Sequence, residues 1–382
     1  MIVTIFRISD FEDPGPHNMI GEGAFGTVYK LQSKKDNIFY AVKILRGVED
    51  ENFQKEFESE VEIISKISFA TLLKHHGITI FKPYSIITDY IPNHDVQYFI
   101  NKAYKGEMEE GWNLTNKFII ILGICFGMNY LHSNNIVHRD LKPGNILLET
   151  NFYPKICDFN LSKTINSITQ CSTFVGTPQF CAPEVLEAST ENEYDGKKAD
   201  VFSFGMTLYS IIYDSLPFPD IKQVTKIILE IIRGKRPKLN EDKEFEFKTM
   251  NEIIKKSWDK DPKERPDFND IMKILIEETI KFVKSGKIEE RKVNKFLKFC
   301  GISTDINIKN TKDIEQFNRD YEEYKKKEDA KRKTDSQLTP LHYAAMSNSK
   351  EIGEILISKG ADINAKDIIY LNILILFLIK LI

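Results

Sequence analysis

Polar and apolar positions in the first part of the chain alternate at two periods. Over residues 18–29 and 37–45 the alternation is that of paired strands. A glycine-rich turn and Lys34-Lys35-Asp36-Asn37 punctuate them. Over 51–67 the period becomes helical, with Phe53, Phe57, Val61, Ile64 and Ile67 on one stripe. Residues 84–90 predict a short apolar strand and Leu114–Ser133 a long apolar-rich helix. Ile146–Leu148 and 155–157 flank a turn around Asn151. From Asp200 the pattern is mostly helical and closes with a helix over 267–283, for which Pro266 is a start signal.

The character changes over 284–335, where Lys, Glu, Asp and Asn dominate. Ile314, Phe317, Tyr321 and Tyr324 recur at three- and four-residue spacing, which reads as a solvated helical linker, with a short helix seam as the alternative. The mixed-charge run 325–333 carries little site information.

Candidate chemistry lies in local runs. Gly21-Glu22-Gly23-Ala24-Phe25-Gly26 continues into Thr27-Val28-Tyr29 on a strand with no helix opening. That favours a strand–turn–strand flap over phosphates, since backbone approaches a phosphate closely only where side chains are absent. A purely structural glycine hairpin is the alternative. Tyr40-Ala41-Val42-Lys43 follows, and alternation puts Ala41 and Lys43 on one face. An inward lysine needs a partner, because an unpaired buried ammonium is costly. Glu60 on the amphipathic helix is the candidate, with Glu58 and Glu62 as neighbours. His138-Arg139-Asp140-Leu141-Lys142-Pro143-Gly144-Asn145 holds a carboxylate, a lysine and an amide, a set able to orient a hydroxyl, balance a phosphate and hold a metal ion. Asp158-Phe159-Asn160 adds a carboxylate downstream.

The order of these motifs over residues 14–281 resembles a eukaryotic protein kinase domain. Lys142 after Asp140, and the run Gly176-Thr177-Pro178-Gln179-Phe180-Cys181-Ala182-Pro183-Glu184, resemble the serine/threonine pattern. Thr88-Asp89-Tyr90-Ile91-Pro92-Asn93 is most similar to the tyrosine-kinase-like branch. The resemblance implies an α+β, bilobal fold with a small β-rich N-lobe and a large helical C-lobe. It implies transfer of the γ-phosphate of ATP, with Mg²⁺, to serine or threonine hydroxyls of protein substrates.

Residue roles follow from the same resemblance. Asp140 would orient the substrate hydroxyl and Lys142 balance the moving phosphate, while Lys43, steered by Glu60, would meet phosphate oxygens. Asn145 and Asp158 would hold Mg²⁺. Ile20, Gly21, Glu22, Gly23, Ala24, Phe25 and Gly26 would cover the nucleotide. Val28, Ala41 and Leu147 would sandwich adenine, Asp89 and Ile91 would offer it backbone groups, and Thr88 stands at the gatekeeper position. His138 and Phe159, with Ile64, look like spine packing; Glu184 and Arg265 like a buried ion pair; Asp200 like a support for the catalytic-loop backbone. Arg139 makes the chain similar to kinases switched by loop phosphorylation, with Ser167, Thr169, Ser172 and Thr173 as candidate acceptors. Thr177 is expected to contact Asp140 and Lys142 rather than to be phosphorylated. Phe202 and Ser257 depart from the family's usual Trp and Cys as packing changes. Cys157 is expected to be a buried inert thiol, with a thiol facing the nucleotide as the alternative. Asn160 replaces the usual Gly; asparagine tolerates positive φ, so an active enzyme is expected and a pseudokinase scaffold is the alternative.

A second resemblance begins at Thr339-Pro340-Leu341-His342-Tyr343-Ala344-Ala345 and runs through Gly360-Ala361-Asp362-Ile363-Asn364-Ala365. It is similar to an ankyrin repeat, which implies a protein-binding module over 336–382, with one complete repeat and a second that is truncated. Residues 368–382 are apolar apart from Asn372 and Lys380. A disrupted repeat is expected there, ahead of a packed segment or a membrane tail anchor, since the run is shorter than a bilayer-spanning helix.

Composition adds exclusions. With 42% hydrophobic and 29% charged residues and a net charge of −3, nothing points to nucleic acid or an anionic membrane as partner. Five cysteines, odd in number and unpaired in spacing, favour a reducing compartment, so a cytoplasmic location is expected. The apolar start Met1–Ile5 is short for a signal core, and Ile2 does not fit the myristoylation pattern.

Overall fold

A computed structural model describes residues 4–302, apart from 24–25, 47–50, 80–81, 160, 165–175, 189–193 and 241–245, together with Arg319, Glu323 and Lys326. Asn160, the candidate acceptors Ser167, Thr169, Ser172 and Thr173, the hairpin-tip residues Ala24 and Phe25 and the ankyrin segment all lie outside the described residues. The described residues fall in two compact units, one from residues up to 68 with 73–91 and Lys326, the other from 69–72 with 92–324.

The first unit is a twisted sheet with one helix. Its elements are β1 (Thr4–Phe6), β2 (Met19–Gly23), β3 (Gly26–Gln32), β4 (Phe39–Leu45), α1 (Glu51–Lys66), β5 (His75–Thr79) and β6 (Ser85–Asp89). The strand order is β1-β5-β6-β4-β3-β2. The glycine run forms a strand–turn–strand hairpin within residues 19–32: Gly21 faces Val28 and Gly23 faces Gly26. The hairpin's second strand then pairs with β4, Val28 opposite Lys43. Alternation along β4 buries Tyr40 and Val42 among Phe11, Leu31 and Ile87 and leaves Ala41 and Lys43 on the other face. The stripe on α1 is buried at Phe57, Val61 and Ile64, with Ile67 just beyond.

The described fold includes a strand ahead of residue 14. Thr4–Phe6 pairs parallel with Gly77–Thr79. Phe6 and Ile8 pack on the cluster around Phe11, which is 1% exposed. These apolar side chains cover a sheet face that would otherwise meet water.

Among its described residues the second unit is helical, with two short ladders, β7–β10 and β8–β9: α2 (Val96–Tyr104), α3 (Leu114–Ser133), β7 (Ile136–Val137), β8 (Ile146–Leu148), β9 (Pro154–Ile156), β10 (Lys163–Thr164), α4 (Pro183–Leu186), α5 (Gly196–Tyr213), α6 (Val224–Ile232), α7 (Lys248–Ser257), α8 (Phe268–Lys284) and α9 (Glu290–Phe299). Asn113, Asp195 and Asp267 open α3, α5 and α8 by accepting from backbone N–H groups of the first turn. The apolar residues of α3 run all round it, and by length and composition it could cross a membrane. It is instead enclosed by protein, 94% buried over its most apolar window.

The α9 helix, at the start of the charged region, has one buried face. Val293, Phe296 and Leu297 are buried. The Phe296 ring stacks on Phe126 of α3 at 6.3 Å and meets Tyr153 edge-on at 5.1 Å. Cys300 and Ile302 close the same core, 0% and 1% exposed.

Candidate active site

In the first unit the glycine hairpin, Lys43 and the end of β6 come together. At Gly23 an added Cβ meets nothing within 4 Å, whereas at Gly26 it lies 2.3 Å from the Ile44 carbonyl oxygen. Gly23 therefore leaves room for a ligand, and Gly26 is needed for β3 to pack on β4. Arg46, just after β4, donates to Glu22 of β2 at 2.6 Å and to Thr27 of β3 at 2.7 Å, tying the hairpin's two strands together. Lys43 and Glu60 form an ion pair at 4.0 Å, their side chains 19% and 10% exposed. Glu62 is taken by Lys66 one turn on. Burial of both partners favours retention of the pair, since removing either strands a charge. Thr88 is 9% exposed, its hydroxyl 3.4 Å from the Ala41 carbonyl. Val28, Ala41 and Ile91 are half-buried, while Ile20 is exposed.

In the second unit the loop between β7 and β8 gathers the catalytic candidates. Lys142 donates to Asp140 Oδ2 at 2.7 Å and to the Thr177 hydroxyl at 2.6 Å. The Thr177 N–H donates to Asp140 Oδ1 at 2.9 Å, and its hydroxyl to the same oxygen at 3.0 Å. Asn145 Nδ2 donates to the Asp140 carbonyl at 2.8 Å and to Oδ2 at 2.9 Å. Three side chains and one backbone N–H thus fix one carboxylate. Gly176 makes the approach of residue 177 possible: its φ is +105°, and a Cβ there would lie 2.7 Å from the Arg139 carbonyl oxygen. Burial, with Asp140 nearby, pushes the Cys181 thiol up to about 12, so it stays protonated beside the site.

Anchors lie behind this loop. Asp200, 1% exposed, accepts from the N–H groups of His138 and Arg139, each at 2.8 Å, and bonds His132 Nε2 at 2.9 Å. Arg139 sits at φ +69°, and the doubly accepting carboxylate offsets the strain of that conformation. His138 is buried with Phe159, ring centroids 5.3 Å apart, and its Nε2 lies 3.1 Å from the Cys157 carbonyl. Arg265 is a bidentate partner of Glu184 at 2.6 and 2.9 Å. The Phe202 ring fills its position between the guanidinium groups of Arg236 and Arg265, 4.8 and 5.2 Å from its centroid.

The donor set suits a magnesium ion. With Nδ2 of Asn145 committed to Asp140, its Oδ1 is the atom that would be left to ligate; Asp158 is an exposed carboxylate, which would suit a cation that keeps several waters. Asp158 itself stands at φ +66°. Leu147 of β8 is half-buried and bridges to Asp95. Cys157 is half-exposed, which corrects the expectation of a buried thiol. The structure adds residues that the motif reading passed over: His132 behind Asp200, Arg46 on the hairpin, and His76, which bonds Asp89 at 2.5 Å. Only the doublet His75-His76 marked the last in the sequence.

This fold and this arrangement are those of a protein kinase, and the chain belongs to that family: the family model for the protein kinase domain matches residues 16–275. The ankyrin repeat model matches residues 336–368. Serine/threonine-protein kinase STY46 of Arabidopsis thaliana is 31% identical over 260 residues, 68% of this chain and 43% of that protein. Dual specificity protein kinase shkB of Dictyostelium discoideum is 31% identical over 266 residues, 68% of this chain and 39% of that protein. Serine/threonine-protein kinase 10 of Danio rerio is 30% identical over 264 residues, 66% and 26% respectively. The chain spans less than half the length of these relatives.

Proposed function

We propose that the chain is a protein serine/threonine kinase that transfers the γ-phosphate of ATP to protein hydroxyls. The observation that carries this reading is the fixed Asp140 carboxylate with Lys142 and Thr177 bonded to it. Asp140 orients the acceptor hydroxyl and takes up its proton; Lys142, already 2.7 Å from that carboxylate, offsets charge on the transferred group. Lys43 holds phosphate oxygens, and Glu60 keeps its ammonium turned to them. Asn145 and Asp158 hold Mg²⁺, which when bound neutralises phosphate charge. Val28 and Ala41 of the first unit, and Leu147 of the second, are each assigned to adenine, and Asp89 and Ile91 offer it backbone groups.

Lys142 and Thr177 together favour serine or threonine as acceptor; the dual-specificity name of one relative makes a tyrosine peptide the control. The scaffold alternative rests on Asn160 alone, whereas the charged groups of the transfer machinery are all present. The ankyrin segment is proposed to bind a protein partner. A cytoplasmic location is supported by the free thiols of Cys125, Cys157, Cys181 and Cys300.

The test is transfer of labelled phosphate from Mg²⁺-ATP to a generic basic protein by the full chain. Wild type transfers, Lys43→Ala and Asp140→Ala do not, and serine is labelled in preference to tyrosine. Wild-type transfer no greater than that of Asp140→Ala sinks the proposal.

A further inference from the structure

One strand of the first unit breaks its own alternation beside the residue assigned to adenine. In the ladder with β6, His75 of β5 faces Thr88 and Gly77 faces Ile87, so His76 is the extra residue of a bulge. A bulge bends its strand and re-aims the side chain it inserts. His76 Nε2 lies 2.5 Å from Asp89 Oδ1. The Tyr40 ring of β4 stands edge-on to the imidazole, centroids 5.0 Å apart, and its hydroxyl donates to Asp36 at 2.9 Å. Tyr40 is also the ladder partner of Asp89. The Asp89 N–H, in turn, donates to the Lys74 carbonyl at 3.0 Å. The end of β6 is therefore tied twice to residues 74–76, once by backbone and once by a charge-assisted side-chain bond, while Tyr40 packs the imidazole in place.

We propose that His76 is a positioning residue for nucleotide: it acts through Asp89, holding the segment that presents backbone groups to adenine. The inference rests on the proposed nucleotide reading. No contact of His76 with nucleotide is required. Were the bulge only a packing feature, a ring of similar size would serve as well as histidine.

The experiment measures ADP affinity of the full chain, and KM for ATP and kcat, alongside thermal melting. His76→Phe keeps a ring against Tyr40 and removes the donor; His76→Gln removes the ring and keeps an N–H donor. His76→Phe is expected to weaken ADP binding and raise KM about fivefold, the order of one partly exposed hydrogen bond, with kcat within about twofold. His76→Gln recovers most of that loss. The double variant His76→Phe/Asp89→Ala binds no more weakly than Asp89→Ala, as expected when one residue acts through the other. Unchanged ADP affinity in His76→Phe overturns the inference while leaving the kinase reading intact. So does a loss that follows the melting temperature and is not restored by Gln. A wild-type chain that binds no ADP overturns the nucleotide reading and this inference with it.

Discussion

Gly176 and His75 show how single residues set the terms for the site and for stability. At φ +105°, with the Arg139 carbonyl oxygen in the place of a Cβ, residue 176 admits only glycine without a shift of the loop that carries Thr177 to Asp140. Gly176→Ala is expected to cost about 1–3 kcal/mol of local strain, read as a fall in kcat of order tenfold or more with KM for ATP little changed; a normal kcat counts against the Thr177–Asp140 contact as a working feature. His75 acts on the fold instead. Burial, aided by the charges of His76 and Lys43, drives its imidazole from 6.5 down to about 3. Between those values the unfolded chain holds a proton that the folded chain does not. The stability His75 contributes is complete above about pH 6.5 and is lost as pH falls toward 3. His75→Leu should flatten the dependence of the urea midpoint on pH between 6.5 and 5, by up to about 1.4 kcal/mol per pH unit. An unaltered slope would argue that the imidazole does not stay neutral in the fold.

At the scale of elements, removal of the α9 helix should be felt in stability although it lies in a charged stretch. Phe296 meets Phe126 and Tyr153, and Val293, Leu297 and Cys300 complete the apolar stripe. Phe296→Ala is expected to cost about 3–5 kcal/mol, and a chain ended at 289 should melt well below one ended at 302 in calorimetry. Equal melting temperatures would mean that the helix only rests on the surface. Composition hid the buried face of this helix: Lys and Glu dominate 284–335, and the stripe 293–296–297–300 is a helical period that emerges only when this short run is taken alone. The β1 strand was hidden for another reason. Three residues carry no periodicity, and their parallel partner lies some seventy residues on, a pairing that no local pattern encodes. By contrast α3 was legible to the residue, because a capping Asn113 and an unbroken apolar run are both local. The bulge at His76 was not, since it depends on which residue of β6 each residue of β5 faces.

At the scale of the whole molecule, the candidate site was legible because kinase chemistry sits in short runs in a fixed order, while its supports lie far apart in the chain. Glu60 could be named for Lys43 from the helical stripe and the cost of a buried ammonium, with Glu58 and Glu62 as neighbours, whereas Arg265 could be named for Glu184 only through the resemblance; Arg46 and His132 had no motif to announce them. The described core ends at Ile302, whose N–H donates to the Leu297 carbonyl at 3.0 Å and whose side chain is 1% exposed. A chain of residues 1–302 therefore keeps every buried contact described for the two units. It should melt within about 2 °C of the full chain, as expected when no core residue is removed, and should phosphorylate a short basic peptide with kcat/KM within about twofold. If the ankyrin segment recruits protein substrates, the same truncation lowers transfer to a protein target whose labelling depends on that segment, through KM rather than kcat. A tenfold loss on the short peptide would place residues 303–382 inside the catalytic unit, and the division between transfer and recruitment would fail.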